Sequence, residues 1–274
     1  VAAAVPPHAE KEIRKYLNSF FRKNIHPVVE RILGLGAGVF EEELVLESDP
    51  EGQKQPFLEA VLPPRAILAT RLERPFSTKL GRTFERVARI LAAHSHGEAR
   101  TQVTVEGDVP SFGIARIDQL IGMWKANKEN KPSYSDMVRE VVAIRDESMR
   151  RMRVKVDLYV KHRNGIEYFF EMKSPKPNKD QALASMDKML RVHLVRRSAE
   201  IRTYYVMPFN PYGTREAYGY SVAKTYLDME NFVLIQEEFW DGVIGEPGAF
   251  QHIVRLYQEA GAAVRERIDR ELFG

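Results

Sequence analysis

Cysteine is missing from the chain altogether. Its absence excludes disulfide scaffolds, thiolate-bound zinc, iron–sulfur clusters and thiol nucleophiles. No apolar run approaches the roughly 20 residues that cross a bilayer. Val1 to Pro7 is too short for a signal-peptide core and carries no basic leader, so a soluble cytoplasmic protein with no membrane partner is expected. There is no low-complexity linker and no visible repeat. The pattern Gly-x-x-x-x-Gly-Lys-Ser/Thr is absent, so no ATP-driven motor is expected. Gly34-Leu-Gly36-Ala-Gly38 follows a helical pattern rather than a strand and reads as a helix stop, not a nucleotide fingerprint. His94 and His96 lie two apart with no acid motif nearby, which gives no zinc site.

What is present is an ordinary globular balance, 44% hydrophobic and 29% charged over 274 residues, enough for one large domain or two small ones. The net charge of +3 names no partner by itself, but its distribution is uneven. Glu41 to Ala60 holds seven acids and one base, Arg139 to Arg202 holds 16 bases and nine acids, and Tyr226 to Gly274 holds ten acids and four bases. A basic block between acidic ends is commonly a solvated face. It gains meaning only if chemistry lies inside it.

The first third reads as helix: Ile13, Tyr16, Leu17, Phe20 and Phe21 recur at helical spacing, and Pro27 starts or kinks a continuation. Ser77 or Thr78 can cap a helix with Leu80, Phe84, Val87, Ala88 and Leu91 on one face. Thr101 to Val105 reads as a strand, and two helices follow around the polar loop Asn127 to Ser133. The period then changes to two. Val154, Val156, Leu158 and Val160 alternate with polar residues, as do Tyr168, Phe170 and Met172 beyond Asn164-Gly165, which makes a hairpin. A helix over Lys179 to Arg197, a strand over Ile201 to Met207, a strand candidate over Asn231 to Gln236 and a closing helix complete the chain. The expected architecture is α/β (α+β), a mixed central sheet flanked by helices. A helical N-terminal region, 1–76, is expected before the core, 77–274, which carries a helical insertion near 107–150.

Glu171 and Lys173 lie two apart on a strand, so their side chains leave one face about 7 Å apart. Asp157 is on the partner strand, and register decides whether it joins them. A two-residue turn at Asn164-Gly165 sets Asp157 opposite Met172, on the wrong face. A three-residue turn, Arg163 to Gly165 with Gly165 at positive φ, sets it opposite Glu171. The second register pairs Lys161 with Glu167, Tyr159 with Phe169, Val160 with Tyr168 and Leu158 with Phe170, and the chemistry of those pairs favours it. Two acids placed together repel unless a cation lies between them, and oxygen ligands suit Mg²⁺. Lys173 then orients or deprotonates a water if neighbours lower its pKa, or steadies charge on a phosphorus oxygen. A plain salt bridge of Lys173 with both acids satisfies the same spacing.

Asp157 followed by Glu171-x-Lys173 resembles the PD-(D/E)XK nuclease signature, with Val156 in place of the proline. The run Glu171-Met-Lys-Ser-Pro-Lys-Pro-Asn-Lys179 is similar to type II restriction endonucleases of the TdeIII kind, as are Glu73 to Glu85, Asn210-Pro-Tyr-Gly213 and Glu238 to Gly245. The likeness covers roughly Glu73 to Ala260 and leaves out the first 70 residues. It implies a restriction-endonuclease-like core and Mg²⁺-dependent hydrolysis of double-stranded DNA at a short palindromic site, leaving 5′-phosphate and 3′-hydroxyl ends. It also implies a homodimer or a tetramer. Asp157, Glu171 and Lys173 are then the catalytic set, with Asp157, Glu171 and Glu85 as metal ligands; a solvated helix glutamate explains Glu85 equally well. Lys176, Asn178, Lys179 and Gln181, entering a helix just beyond, are expected to touch DNA, the lysines at phosphates and the amides at adenine edges. Two rivals remain: a structure-specific repair or recombination nuclease, and a DNA-binding module on the same fold without hydrolysis.

Overall fold

The computed structural model describes residues 4–37 and 60–272. The acidic run from Glu41 lies, but for Ala60, outside the described residues, as do Gly38, Phe273 and Gly274. Contacts group the chain into two compact units. One comprises residues 1–10 and 84–252, the other 11–83 and 253–274.

The second unit is helical. Helix α1 (Pro7–Phe20) enters a π-turn at Phe21–Ile25 and continues as α2 (His26–Ala37). In that turn the His26 N–H donates to the Phe21 carbonyl, an i to i+5 bond. Pro27 has no N–H to close an ordinary turn behind it, so the helix widens there instead of stopping. The glycines at 34 and 36 fall inside α2, not beyond its end. Phe21, Ile25, Val29, Ile32, Leu33, Leu72 and Val264 form this unit's core.

Helix α3 (Pro64–His96) runs through Pro75. A start at Ser77 or Thr78 is therefore corrected. Ser77 is no cap, because its hydroxyl donates to Glu73 Oε1 at 2.7 Å, one turn back across the proline.

The first unit is built on a five-stranded sheet in the order β1 (Glu98–Pro110), β2 (Met149–Lys161), β3 (Glu167–Met172), β4 (Ile201–Met207) and β5 (Val233–Ile235). The first two pairings are antiparallel and the last two parallel. Between β1 and β2 lie α4 (Ser111–Lys125) and α5 (Tyr134–Ala143), the expected helical insertion. Helix α6 (Lys179–Val195) crosses over between β3 and β4, and α4 and α5 pack against it. Short helices α7 (Ser221–Tyr226) and α8 (Glu237–Trp240) precede the closing α9 (Ala249–Leu272).

The hairpin register is the three-residue one: Leu158 pairs with Phe170, Tyr159 with Phe169, Val160 with Tyr168 and Lys161 with Glu167. Gly165 sits at φ 89° and donates its N–H to the His162 carbonyl. The strict alternation expected along β2 does not hold. Val154 and Val156 share an apolar cluster with Tyr159 and Phe169, while Phe170 packs edge-on to Phe239. The period slips at Asp157. Opposite it on β1, Gln102 adopts φ 55°, and the ladder on either side is Thr101 with Leu158 and Val103 with Val156. A left-handed residue in mid-strand turns the backbone of β1 there, while the residue count on the two strands stays equal.

Candidate active site

The sheet opens at Asp157. The β2–β3 pairing ends at Leu158 and Phe170, while β3 continues along β4 to Met172 and Val206. Asp157 is therefore not a ladder partner of Glu171. Instead its Oδ2 accepts the Met172 N–H at 2.9 Å, so the side chain occupies the place where the next backbone bond would form. The same oxygen lies 3.4 Å from Lys173 Nζ. The three side chains meet, but by this detour and not by simple cross-strand pairing.

Lys173 Nζ bridges the two acids, since it also reaches Glu171 Oε1 at 2.7 Å. A second lysine, Lys188 on α6, lies 2.7 Å from both Glu171 oxygens. The exposures run inward in order: Lys173 34%, Lys188 32%, Asp157 14% and Glu171 2%. The cluster thus opens to solvent through its lysines. Burial opposes the charge on Lys173, but the Glu171 hydrogen bond and the Glu171 and Asp157 charges outweigh it and push its pKa above the ordinary lysine value.

Glu85 comes from α3, and its Oε2 accepts from Gln102 Nε2 at 2.7 Å. Burial pushes its pKa up first; the Gln102 bond and Lys173 pull it down, Asp157 and Glu171 push it further up, and the balance is raised. Among the described residues no three His, Cys, Asp or Glu side chains form a group that could hold a metal ion. The carboxylates that Lys173 brings together, and that offer oxygen donors to an ion, are those of Asp157 and Glu171. They fit a hard cation: both are oxygen donors, and a single ammonium already lies against the two of them.

Beyond Lys173 the loop is pinned from behind by aromatics. The Tyr205 hydroxyl donates to the Ser174 carbonyl at 3.3 Å and the Tyr218 hydroxyl to that of Pro175. Lys176 Nζ lies 5.6 Å from the Tyr212 ring centre and Lys179 Nζ 4.7 Å from that of Tyr226. Asn178 and Gln181 close a capping box on α6. Asn178 Oδ1 accepts the Gln181 N–H at 2.8 Å, and Gln181 Oε1 accepts the Asn178 N–H at 3.2 Å. Each amide oxygen thus accepts one backbone N–H of the cap.

The other motif segments do structural work. Glu238 Oε2 accepts the Ile235 N–H and bonds Arg215, the Trp240 indole N–H donates to the Pro208 carbonyl, and the Asp241 carboxylate accepts the Gly248 and Phe250 N–H groups at the start of α9. Asn210 ties its own loop through Tyr212 and Thr214.

Sequence reasoning missed Lys188 and Gln102. Lys188 had a signal: it lies three residues after Ser185 and four before Val192, both buried, so a lysine there needs an anion. Gln102 had none, because glutamine does not advertise a left-handed conformation.

A mixed sheet flanked by helices, with acids and lysines gathered where its second and third strands part, marks a restriction-endonuclease-like α/β protein. Comparison with known proteins gives the family. Residues 7–261 match the family model described as type II restriction endonuclease, HinfI. The type II restriction enzymes HgiBI, HgiEI and HgiCII of Herpetosiphon aurantiacus are each 32% identical to the chain over 274 residues, covering 98% of it and 99% of the relative. The chain belongs to the HinfI family of type II restriction endonucleases. That family, not the TdeIII kind to which four segments point, is the one matched, and the match takes in residues from 7 onward that the likeness left uncovered. No solved structure matches the chain.

Proposed function

We propose that this endonuclease is of the PD-(D/E)XK type and hydrolyses both strands of DNA at a short palindromic site with Mg²⁺, leaving 5′-phosphate and 3′-hydroxyl ends. The observation that carries this is the meeting of Asp157, Glu171 and Lys173 at the point where β2 and β3 part. Asp157 and Glu171 hold the ion, and Glu85 adds its carboxylate to the acidic side. Bound there, Mg²⁺ supplies Lewis-acid stabilisation of the phosphate and a more acidic water. Lys173, held charged, orients the attacking water by hydrogen bonding and offsets negative charge growing on a phosphorus oxygen during in-line displacement. Lys176 and Lys179 contact flanking phosphates, and the capped N-terminus of α6 adds its N–H groups and dipole on the same side. Such contacts make binding fall steeply with salt. A palindromic site calls for two copies of the chain related by a two-fold axis, each cutting one strand.

Run-off sequencing of plasmid DNA incubated with Mg²⁺ tests this. Expected are discrete fragments whose ends share one short sequence, read identically on both strands, and no cutting in EDTA. Random ends, or cutting only at junctions or mismatches, overturn the reading in favour of a non-specific or repair nuclease.

Glu85 gives a second test with opposite signs in two measurements. Its raised pKa means that the folded protein is penalised for ionising it. That group contributes stability at low pH which is lost as pH rises through its folded pKa. Glu85→Gln removes the penalty at neutral pH and keeps a partner for Gln102, so Tm rises slightly, by about 1 °C. Cleavage falls roughly tenfold or more. A lower Tm with unchanged cleavage marks Glu85 as structural only.

A further inference from the structure

Lys188 stands outside the roles assigned above. It projects from α6 toward the sheet, and its ammonium lies 2.7 Å from each oxygen of Glu171. Lys173 shares one of those oxygens at 2.7 Å. Both oxygens of the deepest carboxylate are therefore covered by positive charge. Asp157, Glu171 and Glu85 stand against two ammoniums, so the cluster is close to electrical balance before any divalent ion enters.

A divalent ion at Glu171 adds two positive charges beside two ammoniums. With Glu171 2% exposed, water screens that repulsion poorly. A DNA phosphate brings the negative charge that offsets it. Lys188 is 32% exposed, so it can turn from Glu171 to an incoming phosphate without leaving its helix. Resting on the assignment of Asp157 and Glu171 as the metal-holding pair, we propose that Lys188 is a positioning residue of this enzyme. It acts as the counter-ion that holds Glu171 in place and bars it from divalent metal until DNA arrives. Metal loading is then coupled to substrate binding, and free enzyme in Mg²⁺ carries little metal.

The test reads metal binding, not cleavage. Full-length protein without DNA is titrated with Mn²⁺, and free Mn²⁺ is followed by electron paramagnetic resonance. Lys188→Met, which keeps an unbranched chain one atom shorter and removes the charge, is expected to bind Mn²⁺ at least about tenfold more tightly than the wild type. Lys188→Arg keeps the charge and is expected to bind as weakly as the wild type, with circular dichroism and Tm reporting that each variant is folded. Tighter binding that disappears when Glu171→Gln is added to Lys188→Met confirms the route. Unchanged or weaker binding in Lys188→Met overturns the counter-ion role and leaves the metal pair standing. Equal tightening in Lys188→Arg overturns it as well. If Lys188→Met binds Mn²⁺ as tightly after Asp157→Asn or Glu171→Gln is added, the metal pair itself is wrong and the proposal falls with it.

Discussion

Lys173→Ala is expected to lower single-turnover cleavage by about 10³-fold, roughly 4 kcal/mol of barrier, while DNA binding measured in EDTA stays within a few-fold of the wild type. The size follows from where the ammonium sits. It lies between two carboxylates at 2.7 and 3.4 Å on the open side of the cluster, the side on which the proposed reading seats the phosphate. Charge growing on a phosphorus oxygen there meets a fixed cation that needs no reorganisation. The variant should fold, because Glu171 keeps Lys188 on both oxygens and is not left as an unpaired buried charge. Lys173→Arg should not restore cleavage, since a planar fork cannot replace a compact point charge between two acids. The raised Lys173 pKa adds a sign. If the lysine acts while charged, cleavage does not rise with its deprotonation, and an alkaline gain in rate traced to Lys173 contradicts the electrostatic role. Cleavage within tenfold of the wild type in Lys173→Ala removes Lys173 from the chemistry.

Much of this was legible before any coordinates because the hairpin specifies its own register. Lys161 with Glu167 and Tyr159 with Phe169 form a salt bridge and an aromatic pair only in the three-residue alignment, and Gly165 supplies the positive φ that the turn requires. The order of helix, strand, helical insertion, hairpin, helix and strand followed from changes of hydrophobic period. What escaped was whatever broke a local rule. Ser77 or Thr78 reads as a helix cap, yet α3 starts at Pro64 and passes through Pro75, because packing of the flanking turns outweighs one missing backbone bond. Val154 to Val160 reads as one face, yet the face changes at Asp157, where Gln102 on the neighbouring strand turns left-handed. The second of these falls beside the acids. Backbone irregularity at that point frees Asp157 from the ladder and lets its carboxylate turn toward Lys173, so regular strand geometry and the site compete for the same residue. Asn178 and Gln181 show the reverse: residues that look like base readers obey the capping rule as well.

Asp157 joins structure and chemistry in one side chain, and two substitutions separate them. Asp157→Asn retains an oxygen that can accept the Met172 N–H, now bonded at 2.9 Å, and it removes the negative charge. It should leave Tm within about 1 °C of the wild type and lower Mg²⁺-dependent cleavage by about 10³-fold, since one of two oxygen donors for the ion has lost its charge. Asp157→Ala removes the acceptor too. Met172 is 7% exposed, so its N–H is left without a partner where water reaches poorly, at a cost of about 1–3 kcal/mol and a Tm lower by roughly 2–8 °C. The loss falls where β2 and β3 already part, and Lys173 is the next residue, so the alanine variant also loosens the lysine. Its cleavage should lie at or below that of the asparagine variant. Equal melting temperatures for the two would mean that the Met172 bond contributes nothing. An asparagine variant that cuts at near wild-type rate would mean that Asp157 serves the strand and not the ion.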